Sequence, residues 1–158
     1  MSRLPSLGSR GEGWVAIQIV LLVATLAAGV LGPAWSGAIR IASSVLGVSF
    51  VVGGLVLSIR GASDLSDALT PLPYPRDDAE LVETGVYAHV RHPIYGGLIL
   101  GAVGWGLLTA SIPALGLALV LWGFFQLKSR REEVWLEARF PGYPAYRERT
   151  RRLIPWIG

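Results

Sequence analysis

The sequence predicts an all-α integral membrane protein with four transmembrane helices, the last two forming a helical hairpin. Of its 158 residues, 52% are hydrophobic and only 16% are charged, whereas soluble domains carry about 25% charged residues. Long apolar stretches alternate with short polar connections, and the positive charges lie in connections that four crossings would place on one side of a bilayer. The chain length suits one domain over residues 1–158.

The apolar stretches define the predicted spans. A transmembrane helix needs about 20 largely apolar residues. From Tyr95 to Leu127 no residue is charged, and this run is too long for one helix. Pro113 divides the run, because proline is tolerated at a helix start but interrupts a helix interior. We therefore predict four spans, at about 14–32, 41–59, 96–110 and 112–127.

The positive charges predict the orientation. Of fourteen Lys and Arg residues, only Arg40 falls in a connection on the far side. The positive-inside rule places the other cationic segments in the cytoplasm. We therefore expect a multi-pass protein with both termini in the cytoplasm. Residues 60–95 and 128–158 would then form cytoplasmic segments that carry the active site.

The N-terminus allows a second interpretation. Arg3 and Arg10 precede an apolar run and small residues near Ser36 and Ala38, which is a pattern found in secretory signal peptides. The apolar run is longer than the usual signal-peptide core of about 7–15 residues. We therefore favour a retained first span.

Composition restricts the chemistry. The chain has no cysteine and two histidines, so thiol catalysis and disulfides are excluded and we predict no metal site. No strand pattern with a glycine-rich dinucleotide motif is present, which excludes a Rossmann cofactor site. The net charge of +3 in so apolar a chain favours contact with anionic membrane lipids rather than nucleic acid.

Small residues recur in the second and third predicted spans. Spacings of four place them on one helical face, where they let helix backbones approach closely. We favour packing within a monomer, and a homodimer interface is the alternative. The residues are Ser43, Gly47, Ser49, Gly53, Gly54, Gly97, Gly101 and Gly104.

Polar clusters flank the predicted hairpin. The first is Arg91-His92-Pro93-Ile94-Tyr95-Gly96-Gly97, and the second begins at Lys128 and includes Glu132 and Glu133. Their position favours chemistry at the membrane surface. Cationic residues also commonly anchor spans at the interface, and the second cluster also fits the start of a solvated helix.

The segments around these clusters have their own patterns. Leu81, Val82, Val86 and Val90 fit a short amphipathic stretch on the membrane surface. After the second cluster we predict that the helix continues until Pro141-Gly142. Ile154, Pro155 and Trp156 would then dock at the membrane interface, where tryptophan is enriched.

Several motifs in order resemble the isoprenylcysteine carboxyl methyltransferase family, whose wider relatives are the membrane phospholipid methyltransferases. The resemblance covers about residues 70–158. One departure is Phe140-Pro141-Gly142, where the family usually has Phe-Gly. The motifs are Leu81-Val82-Glu83-Thr84-Gly85-Val86-Tyr87, Arg91-His92-Pro93-Ile94-Tyr95-Gly96, Arg131-Glu132-Glu133, Phe140-Pro141-Gly142-Tyr143 with Tyr146, and Ile154-Pro155.

This resemblance implies a membrane enzyme that binds S-adenosylmethionine on the cytoplasmic side and methylates a lipid-like or lipidated acceptor. A glutamate would accept hydrogen bonds from the ribose, and arginines would orient an acceptor carboxylate. The expected cofactor-binding residues are His92, Pro93, Tyr95, Gly96, Glu132, Glu133 and Tyr146. The expected catalytic residues are Arg91, Glu133 and Arg147.

The sequence leaves the acceptor and the class of function open. We favour carboxyl O-methylation over N-methylation of a phospholipid amine, for which Glu133 or His92 would have to act as base. A small transporter and a non-catalytic membrane scaffold are the alternatives from other classes. No predicted span contains an ionisable residue of the kind that membrane transporters use, which argues against transport.

Overall fold

A computed structural model describes residues 5–70, 72–75 and 80–154 of the chain. These residues form five α-helices and two short 3₁₀ helices, and no strand is found among them. The all-α prediction is confirmed, while Pro155 and Trp156 lie outside the described residues. The α-helices are α1 (Glu12–Leu31), α2 (Ala38–Leu65), α3 (Pro93–Leu108), α4 (Ile112–Arg139) and α5 (Tyr143–Arg149), with 3₁₀ helices at Ser66–Ala68 and Gly85–Ala88.

Three of these helices, α1, α2 and α4, are long and apolar enough to cross a membrane. The helix at the third predicted span, α3, has 16 residues and is shorter than the roughly 20 that a full crossing needs. It begins at Pro93 and ends before a three-residue turn at 109–111, where Ala110 has a φ of 55°. The structure thus has three full-length candidate spans and one shorter apolar helix where the sequence predicted four spans.

The outer surfaces of α1 and α2 are apolar. Their exposed side chains include Val20, Val30, Leu31, Ile41 and Val45, each more than half exposed. A contiguous apolar surface of this kind is uncommon on soluble monomers. Together with the length of the helices, it supports a membrane protein.

Glycines bring α2 and α3 into close contact, which is the most extensive helix pairing in the molecule. A Cβ atom at Gly47 would lie 2.5 Å from the backbone nitrogen of Leu108, and one at Gly54 would lie 2.5 Å from the carbonyl oxygen of Gly97. These small residues therefore pack within the monomer, as we favoured. By contrast, Gly53 faces open space.

Helix α4 links the apolar and polar halves of the chain. Ser111 caps its first turn by accepting a hydrogen bond from the backbone N–H of Ala114 (3.3 Å), and its own hydroxyl donates to Ala28 O at the end of α1 (2.9 Å). The helix then runs without interruption for 28 residues. The predicted continuation of the last span into the polar cluster is therefore correct.

The segment after α5 crosses the start of α3. The backbone N–H groups of Arg91 and His92 donate to the carbonyl oxygens of Arg151 (2.8 Å) and Arg152 (2.9 Å). Val90, which we expected to line a short amphipathic stretch on the membrane surface, is instead fully buried within the protein. The expectation failed because the extended C-terminal segment covers this part of the chain.

Candidate active site

A cavity of about 410 Å³ lies between the start of α3 and the polar end of α4. Leu72, Pro73 and Pro75 from the proline-rich segment form part of its wall, and α1 contributes Val15 and Gln18. Its size falls within the range of about 300–1,000 Å³ typical of small-molecule sites. The two polar clusters of the sequence thus meet at one enclosed space.

The structure divides the predicted site residues into two groups. One group lines the cavity and consists of Arg91, His92, Tyr95, Glu132 and Tyr146. The other lies outside the cavity lining and consists of Pro93, Gly96, Glu133 and Arg147. In the second group, Glu133 and Arg147 contact Arg91. Gly96 lies against the C-terminal segment at Leu153, and Pro93 lies against Gly61 of α2.

Of the two adjacent glutamates of α4, Glu132 is the one that lines the cavity. The hydroxyl of Tyr95 donates to its Oε2 atom at 2.7 Å, and His92 Nδ1 lies 3.8 Å from the same oxygen. The Tyr95 ring stacks with His92, with ring centroids 5.4 Å apart, and with Phe125, at 4.8 Å. This stack fixes the hydroxyl that orients Glu132, while Oε1 keeps its capacity to accept hydrogen bonds.

Glu133 is buried behind the cavity wall. Its Oε1 atom accepts from Arg91 Nε at 2.9 Å, its Oε2 atom accepts from Arg152 Nη2 at 3.1 Å, and His92 Nε2 lies 3.4 Å from Oε1. Both carboxylate oxygens are therefore engaged by guanidinium groups. The geometry suits a residue that joins α4 to the C-terminal segment.

Arg91 ties the start of α3 to the same segment. Its Nη1 atom donates to the carbonyl oxygen of Arg147 (2.9 Å) and to Thr150 Oγ1 (3.1 Å). The Arg147 side chain is 48% exposed and pairs with Glu137 on α4. Arg91 thus borders the cavity, and Arg147 lies on the surface away from it.

Gly96 and Pro93 shape the wall from outside. A Cβ atom at Gly96 would overlap the carbonyl oxygen of Leu153, and Pro93 would contact a Cβ atom placed at Gly61 of α2. The glycine therefore permits the C-terminal segment to approach α3. Close approach to a neighbouring segment is thus the role that the geometry displays for Gly96.

Among the polar residues of the cavity lining that sequence reasoning missed are Lys128 and Gln18. Lys128 Nζ donates to Gln18 Oε1 and lies 4.8 Å from the centroid of the Tyr95 ring. Lys128 precedes Glu132 by four residues, so helical spacing could have placed both on one face. Nothing in the sequence indicates that α1 brings Gln18 to the site.

Two of the tyrosines that line the cavity, Tyr87 and Tyr143, were also not predicted as site residues. Tyr87 and Tyr143 line the cavity beside Tyr146, whose hydroxyl donates to Tyr87 O at 2.8 Å. Burial raises the pKa of all three hydroxyls well above the usual value, so they stay neutral. The Tyr143 hydroxyl is buried and has no hydrogen-bond partner among the described residues.

Potential metal-binding side chains do not form a cluster among the described residues. No set of three or more His, Cys, Asp or Glu residues there is arranged to hold a metal ion.

Comparison with known proteins adds independent information. The family model described as phospholipid methyltransferase matches residues 42–142, which include both polar clusters. The protein-S-isoprenylcysteine O-methyltransferase of Schizosaccharomyces pombe is 39% identical over 82 residues, covering 51% of this chain and 35% of the relative. The human protein of the same name is 34% identical over 83 residues, covering 51% of this chain and 29% of the relative.

A relative with a different name matches a stretch of similar length. The nickel-cobalt-cadmium resistance protein NccN of Alcaligenes xylosoxydans xylosoxydans is 38% identical over 81 residues, covering 51% of this chain and 38% of the relative. The matched stretch of this chain thus amounts to about a third of the length of these curated relatives.

Proposed function

Because this chain belongs to the phospholipid methyltransferase family, we propose that it is an S-adenosylmethionine-dependent membrane methyltransferase that methylates the carboxylate of a lipid-like acceptor. The observation that carries the proposal is the Tyr95–Glu132 hydrogen bond of 2.7 Å inside a cavity of about 410 Å³. This pair joins the two polar clusters at one ligand-sized space. The names of the isoprenylcysteine methyltransferase relatives support a carboxylate acceptor.

The cavity residues fit the chemical demands of the cofactor. When bound, S-adenosylmethionine would supply an electrophilic methyl group on a positively charged sulfur. Glu132 Oε1 would accept hydrogen bonds from the ribose hydroxyls, and the unpartnered Tyr143 hydroxyl would provide a neutral hydrogen bond. The apolar wall formed by Leu72, Pro73 and Leu136 would cover the adenine ring.

The predicted cofactor-binding residues would divide into those that contact the cofactor and those that support the cavity wall. His92, Tyr95, Glu132 and Tyr146 would face the cofactor, since they line the cavity. Glu133 would position Arg91 and the C-terminal segment. Pro93 and Gly96 would not contact the cofactor directly, because they support the cavity wall from outside.

The catalytic contribution of the protein would be alignment and exclusion of water. A carboxylate acceptor is already ionised at neutral pH, so no general base is required. An amine acceptor would need to lose a proton first. Glu133 is poorly suited to take that proton because both of its oxygens are paired with guanidinium groups. His92, the other candidate base, lines the cavity, so the preference for a carboxylate rests on the names of the relatives.

The membrane would deliver the acceptor. The apolar surfaces of α1, α2 and α4 would lie in the bilayer, together with α3, so that four crossings place both termini and the cavity on the cytoplasmic side. The cavity lies where α4 changes from apolar to charged residues after Leu127. A lipid-like acceptor could therefore keep its tail in the bilayer while its polar end reaches the site.

The proposal is tested by binding and product chemistry on the purified protein in lipid nanodiscs. We expect S-adenosylhomocysteine to bind in a calorimetric titration, and we expect Glu132→Gln to weaken it. With labelled S-adenosylmethionine and membrane lipids, label released by mild base as methanol identifies an ester. Base-stable label in the phospholipid fraction would instead identify an amine product and overturn the carboxylate assignment.

Absence of S-adenosylhomocysteine binding to the wild-type protein would contradict the enzyme proposal as a whole. A transporter or a scaffold would then be the better interpretation.

A further inference from the structure

Lys128 is a buried cation that forms no ion pair with a carboxylate of the described residues. Its residue exposure is 1%, yet it lines the cavity. An ammonium group has three N–H donors. The Lys128 group donates to one neutral partner, Gln18 Oε1, and otherwise lies over the face of the Tyr95 ring.

Arg91, which also lines the cavity, has a carboxylate partner, and so do two arginines of α5 that lie outside the lining. Arg91 pairs with Glu133, Arg147 pairs with Glu137, and Arg149 pairs with Glu83. A buried charge is unfavourable unless it is paired and hydrogen-bonded. Lys128 therefore differs from these arginines, because its charge is buried without a carboxylate partner among the described residues and its side chain lines the space that a ligand would fill.

The nearest acidic residue on α4, Glu132, does not compensate this charge by direct contact. Glu132 Oε2 accepts from Tyr95, and no ion pair joins Glu132 to Lys128 among the described residues. The amide of Gln18 cannot neutralise the ammonium group either. It can, however, hold the ammonium group in one position, since it accepts one of the three donors.

We propose that Lys128, held by Gln18, binds the carboxylate of a ligand in this cavity. A carboxylate would form a charge-assisted hydrogen bond with Nζ and would neutralise the buried charge. This inference rests on the proposed function and adds a residue that recognises the ligand. The carboxylate belongs either to the acceptor or to the methionine part of the donor, and these two sources are separable.

The position of Lys128 makes the acceptor the expected source. Lys128 is the first charged residue after the apolar run of α4, and Gln18 lies within the apolar helix α1. Both therefore lie at the end of the cavity nearest the apolar parts of these helices. An amphiphile whose tail stays in the bilayer would present its charged end here.

The first experiment measures donor binding to Lys128→Met. The variant keeps most of the length of the side chain and removes its charge, and Arg130→Met is the matched control because Arg130 is exposed on the same helix. Affinities for S-adenosylhomocysteine and for methylthioadenosine, which lacks the amino-acid carboxylate, are compared by calorimetry. If the donor provides the carboxylate, Lys128→Met lowers the affinity for S-adenosylhomocysteine by about tenfold or more and leaves the affinity for methylthioadenosine unchanged.

The second experiment measures methyl transfer to N-acetyl-S-farnesylcysteine as a carboxylate-bearing probe, with its carboxamide as a competitor. If the acceptor provides the carboxylate, Lys128→Met raises KM for the probe about tenfold or more and leaves S-adenosylhomocysteine affinity unchanged. Lys128→Arg should restore part of the loss. The carboxamide should compete poorly with wild type, and that preference should disappear in Lys128→Met.

Thermal unfolding without ligand distinguishes recognition from a structural role. We expect the melting temperature of Lys128→Met to equal or exceed that of wild type, because no ion pair is lost and a buried charge is removed. The inference is overturned if Lys128→Met leaves both ligand affinities and the probe KM unchanged while wild type binds S-adenosylhomocysteine normally. That result differs from failure of the wild type to bind, which would contradict the proposed function itself.

Discussion

The hydroxyl of Tyr95, in the first turn of α3, lies 2.7 Å from Oε2 of Glu132 near the end of α4. These residues are 37 positions apart in the sequence, and an apolar stretch separates them. Their hydrogen bond joins the two polar clusters. Neighbouring Glu133 is directed away from the cavity into a buried ionic cluster, so two adjacent glutamates have different surroundings and should have separable functions.

We expect Glu132→Gln to reduce affinity for S-adenosylhomocysteine by about tenfold or more, since a hydrogen bond to a charged group is worth about 1.5–3 kcal/mol. Tyr95→Phe should act in the same direction because it removes the donor that orients the carboxylate. Isothermal titration measures both effects. Glu137→Gln is the control on the same helix, and its affinity should match wild type. Equal losses of affinity in Glu132→Gln and Glu137→Gln would contradict the proposed contact between Glu132 and the cofactor.

Glu133→Gln should lower stability more than any cavity-lining substitution. The change leaves Arg91 and Arg152 without their carboxylate partner, and breaking a buried ion pair costs about 3–5 kcal/mol. Thermal unfolding in detergent measures the loss. Breaking the partly exposed Arg147–Glu137 pair through Glu137→Gln should cost about 1 kcal/mol or less. A stable Glu133→Gln protein that has lost cofactor binding would show that Glu133 acts in the site directly.

Gly96→Ala should displace the C-terminal segment from α3. The added methyl group would overlap the carbonyl oxygen of Leu153, and overpacking of this kind costs about 1–3 kcal/mol. Limited trypsin digestion at the arginines of the segment should become faster. The matched control is Gly123→Ala on α4, where no atom lies within 4 Å of the new methyl group. Faster cleavage in both variants would exclude a specific contact at Gly96.

Gly54→Ala should weaken the contact between α2 and α3, because the new Cβ atom would lie 2.5 Å from Gly97 O. Gly53→Ala, one residue earlier, faces open space and should be neutral or slightly stabilising, since alanine favours helix over glycine by about 1 kcal/mol. Thermal unfolding of the two variants provides the comparison. If Gly53→Ala is the more damaging change, the α2 surface used for packing is assigned incorrectly.

Stability should fall as the pH rises above about 10, the usual pKa of tyrosine. Burial raises the pKa of Tyr87, Tyr143 and Tyr146 in the folded protein. Above pH 10 the unfolded chain therefore loses these protons while the folded chain keeps them, which favours unfolding. Chemical unfolding between pH 8 and 11 measures this, with Tyr143→Phe expected to show a shallower decline. An identical fall in the stability of that variant with pH would show that Tyr143 does not contribute to the pH dependence.

The features that could be predicted from the sequence are those that depend on local composition. Apolar runs long enough for helices, the break before Pro113 and the continuation of α4 to Arg139 follow from residue type and spacing. The two polar clusters were identified because each contrasts with the apolar run between them. Their joint role followed from the family resemblance, and the cavity contains residues from both, including His92 and Glu132.

Other features required the folded chain. The sequence did not show which of Glu132 and Glu133 contacts the cofactor, and it placed Val90 in an amphipathic stretch on the membrane surface. Neither helical position nor composition states what covers a residue. The C-terminal segment covers Val90, occupies the space beside Gly96 and supplies Arg152 to Glu133.

For this protein, sequence alone determined the helical class, the apolar and polar halves of α4 and the two polar clusters to which we assign the proposed chemistry. Tertiary structure decided which carboxylate faces the cavity and that Gln18, 110 residues from Lys128 in the chain, holds that lysine in place. The physical reason is that helix formation depends on neighbouring residues, while burial and ion pairing depend on which distant segments pack together.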